Sequence, residues 1–437
     1  MNNQKQNSKG NEVKFQALHF LENYPALPYI LKWTVIGLLI GVPIGTASAG
    51  FLHSLHWATN FRESNVWIIA LLPVGGFGVA LLYHYFGKTS ERGNNLLIDT
   101  IHDPKHIVPF RMAPLVYFGT VVTHFFGGSA GREGTALQMA GAIADQFSKP
   151  LGLTADDRRI LMVAAVAAGF GSVFDTPLAG AVFGLEFFLI GKIRYNSIFP
   201  AFITAIIADT VTRLWNAPHT HYHIDFIPDI TFEKIGLAII AGIFFGICAA
   251  VFSRSLHKLS AIFKSKISYP PLRPVIGGII VVAAVWLLDT TKYIGLGLPT
   301  IVQSFEDQLP AYDFAIKIVL TVITLAAGYK GGEVTPLFFI GATLGNALSL
   351  FIPLPMGLLA GMGFVGVFAG ATNTPIACSF MAIELFGAEC GMYVAIGCVV
   401  SYIVSGNNSI YSRQALGQAK SKHQSAIEGK RLNEIQL

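Results

Sequence analysis

The sequence predicts an all-α integral membrane protein made of two related halves, and three observations carry that prediction. Of its 437 residues, 53% are hydrophobic and only 13% are charged, about half the charge of an average soluble protein. The mean hydropathy is +0.56. Apolar runs recur at 33–53, 66–86, 112–126, 160–190, 198–214, 235–252, 275–288, 316–327, 337–352 and 358–404. Several reach the roughly 20 residues that cross a bilayer as a helix, and others are shorter or interrupted by Gly and Pro.

The third observation is an internal repeat. Residues 175–188 (DTPLAGAVFGLEFF) align with 373–386 (NTPIACSFMAIELF) at an offset of 198, pairing Glu186 with Glu384. Residues 131–142 (GREGTALQMAGA) align with 331–342 (GGEVTPLFFIGA) at an offset of 200, pairing Glu133 with Glu333. The expected organisation is an amino-terminal cytoplasmic segment 1–27, a first membrane repeat 28–215, an inter-repeat loop 216–232, a second repeat 233–411, and a cytoplasmic tail 412–437 without an appended regulatory domain.

Orientation follows from charge. Residues 1–23 are polar and mixed in charge, unlike a cleavable signal peptide. Lys5, Lys9 and Lys14, the stretch from Arg254 to Arg273, and the tail from Arg413 to Arg431 are basic. Both termini are therefore expected in the cytoplasm, and the expected location is a bacterial plasma membrane. The net charge of +5 reflects topology and not nucleic-acid affinity. Cys248, Cys378, Cys390 and Cys398 lie in or beside apolar segments without metal-ligand spacing and read as packing thiols.

Two halves with glycine-interrupted helix starts at matching places point to a secondary transporter whose site lies at the repeat interface. A helix amino terminus offers unpaired N–H groups and a positive dipole end, so it binds anions. Gly127, Gly128, Gly131 and Gly134 let the backbone approach such an ion. Glu133 is then a tethered anion that competes with the transported one. Protonating it removes the competition, and one side chain couples anion passage to a proton. An intramembrane carboxylate is costly and is usually functional.

These residues resemble the CLC family of chloride channels and anion/proton antiporters. The resemblance rests on GREG at Gly131 to Gly134, GGEVTP at Gly331 to Pro336 and FDTPLAG at Phe174 to Gly180, in that order, and extends from about Trp33 to Tyr411. It implies an inverted repeat of many tilted, partly broken transmembrane helices, a homodimer with one pathway per subunit, and no cofactor. It also implies Glu133 as the protonatable gate, the amides of Glu333 and Val334 as holders of the central anion, and Tyr411 in SIYS as a central tyrosine. Gly131 and Gly134 join the candidate anion site, as does Arg132, which reads as either a structural or an anion-attracting charge.

The departures resemble the fluoride branch of that family. GNNLL from Gly93 to Leu97 stands where chloride members carry a serine loop, Phe187 where chloride/proton antiporters place an internal glutamate, and Glu333 and Thr335 where small or apolar residues are usual. That implies fluoride/proton antiport and fluoride resistance. Asn94, Thr335, Tyr411 and a protonated Glu133 are hydrogen-bond donors suited to a small, strongly hydrated anion. Phe339 either offers its ring edge to the anion or simply packs.

Other residues carry weaker readings. Asp175 and Asn373 read as helix caps, and Glu186 and Glu384 as structural hydrogen-bonding partners of neighbouring helix starts or as a proton path. His219, His221 and His223 read as wet loop residues, with metal ligation as the alternative. Two other functions stay open: a chloride channel or chloride/proton exchanger of the same fold, and remotely an intramembrane hydrolase using Glu133 and Glu333 as a carboxylate pair.

Overall fold

The computed structural model describes residues 26–420 and 422–435. All but the last two residues of the expected segment 1–27 lie outside the described residues. Among those described, sixteen α-helices divide equally between the halves. The first half holds α1 (Leu27–Ser64), α2 (Leu72–Phe86), α3 (Asn94–His102), α4 (Met112–Phe125), α5 (Glu133–Asp145), α6 (Ala155–Phe174), α7 (Pro177–Glu186) and α8 (Ile198–Leu214). The second holds α9 (Phe232–Lys266), α10 (Leu272–Leu288), α11 (Leu298–Glu306), α12 (Asp313–Ala326), α13 (Val334–Leu348), α14 (Met356–Thr372), α15 (Pro375–Phe386) and α16 (Gly391–Val404).

Each helix has a counterpart of similar length in the other half, from the long first helices of 38 and 35 residues to the nine-residue α3 and α11. Hydropathy does not reveal α3 or α11, because nine residues are too few to span and their sequences mix polar with apolar positions. Asn94, expected in a loop, is the first residue of α3. Four helical segments among the described residues are long and apolar enough to cross a bilayer, beginning at Leu27, Val66, Tyr195 and Phe232.

The apolar runs 160–190 and 358–404 are not continuous helices. Asp175 (φ 64°) and Asn373 (φ 59°) adopt left-handed conformations that close α6 and α14, so they cap the helix behind them. Thr176 and Thr374 are the N-cap residues of the next helices, with Pro177 and Pro375 following. Proline is tolerated there because the N–H it lacks would have no intrahelical partner.

That proline start gives Glu186 and Glu384 their task. Leu178 and Ala179 at the start of α7 donate to the Glu384 carboxylate at 3.0 and 2.7 Å. Ile376 and Ala377 at the start of α15 donate to Glu186 at 3.3 and 2.8 Å. Each half thus caps a helix of the other, with the carboxylate on the positive end of its dipole. Glu384→Ala removes the partner of two amides and is expected to destabilise the protein by about 2 kcal/mol. A lowered thermal midpoint in detergent checks this, and an unchanged midpoint contradicts it.

α6 and α14 form the buried centre, almost without exposed residues. Small side chains make this possible: a Cβ on Gly341 of α13 would lie 1.9 Å from Gly363 O of α14, and one on Gly363 would lie 2.0 Å from Gly341 O. Close backbone approach of this kind suits helices packed in lipid. Exposed apolar side chains instead line one side of α1, including Leu31, Val35 and Leu38, and one side of α9, including Ile240, Phe244 and Ile247. The segment after Tyr411 folds back: Ala415–Leu416 pairs in parallel with Leu189–Ile190, and Arg431 reaches Asp99 of α3 at 2.6 Å.

Candidate functional site

The two motifs identified by the repeat meet directly. Gly131 and Gly332 exchange both backbone hydrogen bonds, at 2.5 and 2.7 Å, as an isolated antiparallel bridge. Side chains would prevent it, since a Cβ on Gly131 would lie 2.9 Å from Gly332 O and 2.8 Å from a Glu133 carboxylate oxygen. The bridge brings the amino termini of α5 and α13 together although their residues lie 200 apart in sequence.

Glu133 occupies that junction and is fully buried. Its Oε2 accepts from Arg132 N at 3.1 Å and from Thr335 N at 3.0 Å, and its Oε1 accepts from the Thr335 hydroxyl. Arg132 Nε lies 3.6 Å away. The carboxylate therefore reaches from the first residue of α5 to the second residue of α13 and takes donors that an anion would otherwise take. Charge-assisted bonds of this type are worth roughly twice neutral ones, and both helix dipoles add to them.

A second group lies beside the first. A Cβ on Gly134 would be 3.0 Å from Asn94 Nδ2 and 3.6 Å from Glu333 Oε2. Glycine there allows both side chains to approach the start of α5. Glu333 is the N-cap residue of α13. Asn94 Oδ1, Glu333 Oε2 and the Tyr411 hydroxyl are buried, and none has a hydrogen-bond partner among the described residues. Buried polar groups are rarely left unpaired, and such a set marks a place for ions or water.

Tyr411 stands edge-to-face on Phe187 at 4.9 Å. The residue that replaces the expected internal glutamate therefore supports the tyrosine. Asn95 Oδ1 accepts from Arg413 N at 3.2 Å, tying the Tyr411 loop to the start of α3. Thr135, in the first turn of α5, shares a hydrogen bond with Thr120 at 2.6 Å.

Phe339 is fully buried and its ring lies against the loop before α11. It stands edge-to-face on Tyr293 at 6.3 Å, with Lys317 Nζ 5.0 Å from its centroid. Lys317 itself is fully buried in α12 and donates to Tyr293 O and Gly295 O at 3.0 and 2.9 Å. Sequence reading missed Lys317 and Arg62. The signal was available, since a lysine inside the apolar run 316–327 is itself conspicuous.

Arg62, Arg132, Lys292 and His219 line a cavity of about 620 Å³ between the end of α1, the α8–α9 connection and the α10–α11 connection. The three histidines part company here. His221 and His223 line a separate cavity with Phe305 and Glu306, whereas His219 faces the basic one. Burial pushes the His219 imidazole down to about 4; Asp175 opposes this, and Arg132, Arg213 and His221 reinforce it.

Paired helix amino termini, a buried carboxylate lying across them and a basic cavity beside them are the arrangement of a membrane transport protein for anions. A profile of the family described as "Voltage gated chloride channel" matches residues 75–406, and the chain belongs to that family, the CLC proteins. It is 51% identical over 420 residues to a "Chloride/fluoride channel protein" of Pseudomonas syringae pv. tomato, covering 95% of this chain and 93% of that one. It is 25% identical over 384 residues to an "H(+)/Cl(-) exchange transporter" of Cronobacter sakazakii, covering 80% of this chain and 81% of that one. The crystal structure of a CLC-type fluoride/proton antiporter superposes with a TM-score of 0.86 at 34% identity, over 90% of this chain and 98% of that chain.

Proposed function

We propose that this chain exports fluoride in exchange for protons across the plasma membrane, with Glu133 as the gate that carries the proton. The observation that carries the proposal is the Glu133 carboxylate held by the Thr335 amide and hydroxyl. Fluoride in the same place would receive the same donors. When Glu133 takes a proton it loses the charge that favours this position, and the anion replaces it. The similarity to a fluoride/proton antiporter and to a chloride/fluoride channel protein supports the choice of fluoride.

Fluoride is small and holds its water tightly, so a site for it needs dense donors. Thr335, the Tyr411 hydroxyl, Asn94 Nδ2 and the amides of Arg132, Glu333 and Val334 supply them. Export needs an energy source, because hydrofluoric acid enters cells as a neutral molecule and ionises in the neutral cytoplasm. With Phe187 where a glutamate would serve an inner proton path, Glu133 itself travels between the outer and inner ends of the site, and Glu333 and Thr335 meet it on the inner side. Both termini lie in the cytoplasm, the basic vestibule opens outside, and two copies assemble as a homodimer with one pathway each.

Reconstitution into liposomes tests this. Fluoride efflux measured with an ion-selective electrode is expected to drive protons in the opposite direction, and to exceed chloride efflux. Fluoride flux indifferent to a proton gradient overturns the antiport reading, and preference for chloride overturns the choice of ion.

A further inference from the structure

We infer that His219 is the outer proton relay of this antiporter, passing protons between the vestibule and Glu133. The inference rests on the fluoride/proton exchange proposed above and adds a residue to its proton path.

The geometry begins with the isolation of Glu133. It is fully buried, so a proton from outside needs an intermediate stop. His219 lines the 620 Å³ vestibule together with Arg132. It also lines a second cavity with Arg132 and Thr335, the two residues that hold the Glu133 carboxylate. That second cavity is about 10 Å³, close to the smallest space that admits one water molecule. His219 is the histidine shared by both spaces.

Its ring is also free to act. Nδ1 and Nε2 are both buried, and neither has a hydrogen-bond partner among the described residues. A histidine held for structure normally spends at least one nitrogen on a carbonyl or carboxylate, as His124 does on Gly131 O at 3.3 Å. An imidazole with two open nitrogens accepts a proton on one and releases the other, which is the ordinary basis of a proton shuttle. The step balances simply. Hydronium in the vestibule protonates one nitrogen and is left as water, the N–H bond on the opposite side breaks, and an O–H bond forms on Glu133 by way of intervening water.

The charges around the ring keep this proton transient. Arg132 from the start of α5, Arg213 from α8 and His221 from the same loop disfavour the imidazolium, and Asp175 at the end of α6 favours it. A relay held neutral at rest does not trap the proton.

The test is His219→Gln in liposomes, with outer pH varied at fixed inner pH. Wild-type protein first has to exchange fluoride for protons. With that in place, H219Q is expected to slow coupled exchange by about tenfold or more at neutral to alkaline outer pH, and by less at acidic outer pH, where hydronium is abundant. External imidazole at millimolar concentration is expected to restore most of the rate, while fluoride affinity measured by calorimetry stays unchanged. Rescue separates proton delivery from misfolding, because imidazole does not repair packing.

H219Q exchange equal to wild type at every outer pH overturns the inference and leaves the antiport reading intact. A loss that imidazole leaves untouched makes His219 a packing residue and overturns it equally. Wild-type flux without protons overturns both.

Discussion

Glu133→Gln is expected to abolish proton movement while leaving a folded protein. Glutamine matches glutamate in size but takes no proton near neutral pH, so fluoride-driven proton flux in liposomes should fall by about 100-fold or more. The amide also disturbs the local geometry. Both carboxylate oxygens of Glu133 accept hydrogen bonds; an NH₂ group in place of Oε2 faces two N–H donors, and one in place of Oε1 has to reverse the bond with the Thr335 hydroxyl. The buried charge-assisted bonds lost are worth about 1.5–3 kcal/mol each, which weakens the hold of the side chain on the start of α13. Fluoride flux then loses its dependence on pH. Monodisperse elution in detergent confirms the fold, and an unchanged proton flux in such a sample removes Glu133 from the role of gate.

Glu333→Gln has the second largest expected effect. Glu333 is the N-cap of α13, and one of its oxygens is buried without a partner beside Asn94 and Gly134. A carboxylate placed there can exchange a proton with the incoming gate, and glutamine cannot. Fluoride and proton fluxes are expected to fall together by roughly tenfold, because the two remain coupled through Glu133. If both fluxes match wild type, Glu333 takes no part in proton transfer, and the inner end of the proton path lies elsewhere.

The two glutamates show how far residue types alone carry the argument. The repeat paired Glu133 with Glu333 through identities at fixed offsets, and glycines beside each marked helix starts near one another in the membrane. The CLC resemblance of GREG, GGEVTP and FDTPLAG is borne out by the family match over residues 75–406. The sequence did not say where the Glu133 carboxylate points. It crosses to Thr335 in the other half, and that contact depends on how the backbones of two distant loops bridge at Gly131 and Gly332.

Glu186 and Glu384 make the same point in reverse. Sequence reading left them between a structural task and a proton path, because a carboxylate in an apolar helix fits both. Packing places each at the Pro-initiated start of its counterpart helix, where two free amides need an acceptor. His219 moved furthest. In PHTHYH it reads as a wet loop residue, and its neighbours His221 and His223 do line a different cavity. Alternation within a loop carries no record of which cavity a side chain will face.

By itself the sequence determined the class of protein and the pair of helix starts that carry the glutamates. Those properties are written in composition and in local repeated patterns. Tertiary structure decided the short helices α3 and α11, the reciprocal caps, the buried Lys317 and Arg62, the course of the Glu133 carboxylate and the vestibule with His219. Each of these depends on contacts between residues far apart in the chain. Hydropathy and motif spacing register what a segment is made of, and only packing registers what it meets.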